Sequence, residues 1–87
     1  MTETNGTLLT FPCELPIKVF GRNEPAFRDA ALGIAKRHYG AELSVIEQLS
    51  RKGSYLSLTI TVRAESKAQI DAVYQDLVAS DQILMVL

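Results

Sequence analysis

The chain has 87 residues, a formal net charge of −1 and an apolar share of 47%, which suits one domain around one core and is too short for two. That charge balance, with a pI near 5.7, supplies no drive toward nucleic acid or an anionic membrane. A single cysteine, Cys13, excludes an internal disulfide. With no signal-peptide pattern and no apolar run near the ~20 residues of a membrane helix, a cytoplasmic protein is expected.

Residues 1–10 read as a loose polar tail and residues 11–87 as the domain. Leu15, Ile17 and Val19 alternate with Pro16, Lys18 and Phe20, the period of a strand with one buried face. Pro16 has no N–H for a ladder, which places it near the strand's start. Asn23 reads as a helix N-cap, followed by Glu24 and Pro25 in a first turn. Phe27, Ala30, Ala31, Ile34, Ala35 and His38 recur at helical spacing, and Gly40 ends that helix.

Residues 43–49 and 55–63 read as two strands joined by a hairpin turn at Arg51, Lys52 and Gly53, with Gly53 free to take positive φ. Leu56, Leu58, Ile60 and Val62 point one way, while Tyr55, Ser57, Thr59, Thr61 and Arg63 point the other. Leu43, Val45 and Leu49 share a face with Glu47, so the facing of this second strand stays open, and a bulge at Gly53 would reverse it. Ser66 and Gln69 fit a capping box ahead of an apolar stripe of Ile70, Val73, Tyr74, Leu77 and Val78. Residues 83–87 form a last, wholly apolar strand.

The order β-α-β-β-α-β predicts a ferredoxin-like α+β sandwich. Four antiparallel strands in the order 4-1-3-2 carry two helices on one face. Ile17, Val19, Ile34, Leu58, Ile60, Val73 and Leu77 are the expected core.

No residues assemble into evident chemistry, and no catalytic residue, metal site or cofactor is expected. His38 reads as a partly buried residue near a helix C-terminus, where a cation is favoured. Cys13 has no base near it in sequence. The carboxylates, Asp29, Glu42, Glu47, Asp71, Asp76 and Asp81 among them, read as solvated. Lys52-Gly53-Ser54 lacks the partner glycine and following helix of a phosphate loop.

Two surfaces remain. The turn Gly21-Arg22-Asn23, with Phe27 behind it, leads into a helix N-terminus, where backbone N–H groups suit a carboxylate or phosphate. The open sheet face carries Lys18, Phe20, Tyr55, Thr59 and Arg63, and the apolar edge strand adds Leu84 and Val86. Aromatic and cationic groups together suit a protein partner or a second copy of the chain. RNA binding is the alternative use of this face, because RNA-recognition modules place aromatics on their central strands. The charge balance makes nucleic acid the weaker reading.

Phe11-Pro12, Ile17-Lys18-Val19-Phe20-Gly21, the run from Ser50 through Thr61, and Ile83-Leu84-Met85-Val86-Leu87 resemble the YbeD-like family of small uncharacterised bacterial proteins. The likeness spans nearly the whole chain from Leu8 onward. It implies a ferredoxin-like fold close to ACT-type regulatory domains, which bind small effectors near the loop after the first strand. It implies no assigned activity and brings no catalytic residues. Asn23-Glu24-Pro25-Ala26-Phe27 looks like the Asp-x-Pro-Gly-apolar turn of those domains, with Ala26 where glycine would stand.

Overall fold

The computed structural model describes residues 10–40 and 43–87. The expected tail lies outside them except for Thr10, as does Glu42. The elements are β1 (Cys13–Arg22), α1 (Pro25–Tyr39), β2 (Ser44–Leu49), β3 (Tyr55–Ala64), α2 (Lys67–Ala79) and β4 (Met85–Val86). The strands lie in the order β2-β3-β1-β4, every pair antiparallel. This is the expected 4-1-3-2 sheet.

β1 and β3 form its spine, paired without a break from Cys13↔Ala64 to Arg22↔Tyr55. Strand alternation then sorts the side chains. Ile17, Val19, Leu56, Leu58, Ile60 and Val62 turn to one face and are buried there. Phe27, Ala31, Ile34 and Ala35 of α1 meet them, together with Val73 and Leu77 of α2. Every expected core residue is in this cluster. Val78, assigned to the apolar stripe from sequence, is 71% exposed, because the stripe along α2 is only one residue wide at that turn.

Several local expectations are corrected. The N-cap of α1 is Glu24, with no side-chain bond to the helix. Asn23 is tied elsewhere. Its backbone N–H donates to Ser54 O at 3.0 Å, and its Nδ2 donates to Gly53 O at 3.0 Å. In the capping box, Gln69 N donates to Ser66 Oγ, but Gln69 Oε1 accepts from Glu65 N, one residue earlier than the usual box.

The facing of β2 is resolved by its register. Val45, Glu47 and Leu49 stand opposite Ile60, Leu58 and Leu56, so they share the helix side of the sheet. Gly53, at φ 76, closes the hairpin without reversing the parity. Glu47 is accommodated on that side by an ion pair with Arg28 of α1.

Pro16 is the fourth residue of β1, further in than expected. Lys18 exchanges both backbone bonds with Leu87, and Phe20 O accepts from Leu84 N. Alternate residues of β1 therefore direct their backbone groups toward β4 and the rest toward β3. Pro16 shares the parity of Lys18 and Phe20, so its missing N–H lies on the β4 side, beyond the last paired residue of β4, where no ladder bond is lost. β4 is shorter than the expected strand over 83–87. Its ladder pairs are Val19↔Val86 and Phe20↔Met85, and Ile83 turns into the core.

Candidate functional site

The loop between β1 and α1 does not gather the residues assigned to it. Gly21 is buried, and a β-carbon there would overlap the ring of Phe27. Phe27 is itself 1% exposed. Both residues serve the core. Asn23 is spent on the β2–β3 turn. Arg22 ends β1 opposite Tyr55, on the other side of the sheet from Phe27. The remaining hollow, about 170 Å³, is lined by Asn23, Glu24, Pro25, Arg28 and Asp29. Two carboxylates border it, and its guanidinium is already paired with Glu47, a setting that does not favour an anion at the helix N-terminus.

The open face of the sheet is better built. Strand alternation places Lys18, Phe20 and Arg22 of β1, Tyr55, Ser57, Thr59 and Arg63 of β3, and Ile46 and Gln48 of β2 on the side without helices. Lys18 Nζ stands 5.6 Å from the centre of the Phe20 ring, within cation–π reach. Phe20 pairs with Ser57, and Tyr55 lies diagonally across on the same face. A cleft of about 260 Å³ opens here, lined by Lys18, Phe20, Gln48, Ser50, Tyr55 and Ser57. The Ser57 hydroxyl donates to Gln48 O at 3.3 Å and fixes the cleft's floor to β2. Ser50 Oγ accepts from Tyr55 N at 3.1 Å and fixes its rim.

The edge residues divide. Val86 pairs with Val19 on the helix side and packs against the core, so it is not part of the open face. Leu84 shares that parity and is exposed at the edge. Met85 pairs with Phe20 and stands on the open face, as does Leu87 by alternation; both are exposed. The sequence placed residues 83–87 at the edge without separating Met85 and Leu87 from Val86, and did not place Ile46 and Gln48. The parity of the hairpin around Gly53 was the signal that places the last two.

At the far end of the helices, His38 Nε2 lies 2.6 Å from Asp76 Oδ2, and Arg37 donates to the same oxygen at 3.0 Å. Those two bonds hold the Asp76 carboxyl below its ordinary value. Asp76 is solvated, as expected, and is in addition tied to α1. Its place one turn beyond Val73 and next to Leu77, with both its partners on α1, puts it at the α1–α2 seam. Gln69 Nε2 donates to His38 O, adding a second tie between the helices. Burial pushes the Tyr39 and Tyr74 hydroxyls up. Cys13, at the start of β1, pairs with Ala64. Among the described residues no group of His, Cys, Asp and Glu is arranged to hold a metal ion, and no helix is long and apolar enough to cross a membrane.

The fold and surface together define a ferredoxin-like α+β module, a sheet covered by helices on one side and open on the other. Comparison with known proteins agrees. The solution structure of protein HP0495 from H. pylori superposes with a TM-score of 0.77 at 10% identity, covering 91% of this chain and 85% of that one. The chain belongs to the family described as protein of unknown function (DUF493), whose model matches residues 6–87. Among its relatives, the UPF0250 protein NE1487 of Nitrosomonas europaea is 35% identical over 86 residues, covering 97% of this chain and 99% of that protein. A UPF0250 protein of Leptothrix cholodnii is 41% identical over 83 residues, covering 93% and 91%. These are the small bacterial proteins that the sequence resembled.

Proposed function

We propose that this chain is a non-catalytic regulatory or interaction module that works through the open face of its sheet. The observation behind the reading is the cleft between Phe20 and Tyr55, walled by Lys18 and Gln48 on a face that no helix among the described residues covers. The small-effector use expected from ACT-type domains has less support. Gly21 and Phe27, half of the residues assigned to it, are inside the core. The open cleft is also below the roughly 300–1,000 Å³ usual for a pocket that encloses a small molecule.

The test is affinity capture from a bacterial extract with three proteins: the unaltered chain, Tyr55→Asp, and Val78→Asp as a control on the exposed side of α2. A partner held by the first and third and lost by the second supports the reading. A partner lost through Val78→Asp and kept by Tyr55→Asp would move the working surface to the helices. Cys13→Ser and His38→Ala should both retain the partner.

A further inference from the structure

The partner's chemistry can be read from how charge is distributed over the open face, an inference that rests on the reading just given. The net charge of −1 conceals a segregation. Among the described side-chain carboxylates, Glu14 alone stands on the open face, and it faces Arg63 across the β1–β3 ladder at the end away from the cleft. Glu47 is turned to the helix side and paired with Arg28. Asp29, Asp71 and Asp76 belong to the helices, while Glu24, Glu65 and Asp81 lie in loops. The cleft end of the face instead carries Lys18 and Arg22, with Arg51 and Lys52 exposed in the adjoining turn.

We infer that the open face docks an acidic protein segment. One apolar side chain of the segment enters the cleft between Phe20 and Tyr55, and flanking carboxylates meet Lys18 and Arg22. The cleft, about 260 Å³, holds one large side chain. Exposed Ile46, Met85 and Leu87 extend the apolar surface beside it. Exposed ion pairs contribute little singly, so the anchor supplies affinity and the cations supply orientation and a faster, salt-sensitive encounter. The same face suits RNA less well. It offers two aromatic rings, Phe20 and Tyr55, the other exposed apolar groups are aliphatic, and the chain has no net positive charge to hold a phosphate backbone.

The experiment is an amide NMR titration of the full chain with three probes: a short peptide of glutamate and phenylalanine, its counterpart with lysine for glutamate, and an oligouridylate. The glutamate peptide should give saturable shifts at Lys18, Phe20, Arg22 and Tyr55, weakened by added salt. Lys18→Glu and Arg22→Glu should each weaken its binding a few-fold and flatten its salt dependence, with an otherwise unchanged spectrum. No saturable response, equal binding of the lysine peptide, or shifts away from the cleft would overturn the inference. Tighter binding of the oligouridylate at the same residues would assign the face to nucleic acid instead. The underlying reading fails separately. Partner capture lost through Tyr55→Asp but indifferent to both charge reversals keeps the face and rejects the acidic segment.

Discussion

The ring of Phe27 lies against the backbone of Gly21, in the space a β-carbon would need. One residue thus supplies the anchor of α1 and the other the gap that receives it. Gly21→Ala should destabilise the fold by about 1–3 kcal/mol, the usual cost of overpacking a filled core. Trimming the ring in the double variant Gly21→Ala, Phe27→Leu should cost less than the sum of the single changes, since the two sites share one contact. Urea midpoints of the four proteins check this; strict additivity would show that the ring and the glycine do not touch.

The bonds from His38 and Arg37 to Asp76 make stability depend on pH with a definite sign. The Asp76 carboxyl is held below its ordinary value of 3.8 in the folded chain. Folding therefore favours its ionised form. The resulting stability is present above the unfolded value and is lost as pH falls through the folded one. Asp76→Asn lacks this contribution, so the gap in stability between the two proteins should narrow as pH falls below about 4. Thermal melts across an acid series would show it, and a gap independent of pH would mean that the bonds do not favour the carboxylate.

Val86 and Met85 are neighbours with opposite duties. Val86 faces Val19 and packs on the core, whereas Met85 faces Phe20 on the open side. Val86→Asp should destabilise the domain by several kcal/mol, because an unpaired carboxylate would sit against apolar surface, at about 1–3 kcal/mol or more for the desolvation alone. Met85→Asp should leave the denaturation midpoint within about 0.5 kcal/mol of the original. Equal losses would show that β4 is buried on both sides. Met85 is accordingly the residue with which to probe binding at this edge.

Ser66→Ala removes the acceptor of the Gln69 N–H at the start of α2 and should cost about 0.5–2 kcal/mol. Gln69→Ala should cost at least as much, since the amide also accepts from Glu65 N and donates to His38 O. If Gln69→Ala proves neutral in denaturant, the tie between the two helices carries no stability.

The sequence expressed the fold clearly where periodicity and punctuation agreed. Leu56, Leu58, Ile60 and Val62 alternate without interruption, and Phe27, Ala31, Ile34 and Ala35 recur as a helix face, so the sheet order and core followed. Glu47 could not be placed by pattern, because a carboxylate stays exposed on the helix side only where the helices leave an edge strand uncovered, and its partner Arg28 is 19 residues away. Asn23 looked like a cap because its type suits one. Its real bond, to Gly53, depends on a turn 30 residues distant. The candidate loop failed for a related reason: Gly21 and Phe27 are close in sequence, but whether they serve a ligand or the core depends on how α1 seats. The open-face residues of β1 and β3 were legible from alternation alone. The cleft was not, since it needs Gln48 of β2 and Ser50 of the turn after it brought alongside.

The ten-pair ladder between β1 and β3 also governs how the chain reaches this structure. It joins positions as far apart as Cys13 and Ala64, so the spine of the sheet is assembled only after long loops are closed and their entropy lost. The β2–β3 hairpin needs no such search and forms locally, on a scale of ~1–10 μs for an isolated hairpin. The central ladder is thus completed after the local hairpin, and the β1–β4 ladder, which joins Val19 to Val86, spans more of the chain still. That places the folding time of this small domain with mixed α/β chains of non-local pairing, slower than the microsecond-to-millisecond range of helical bundles of similar length.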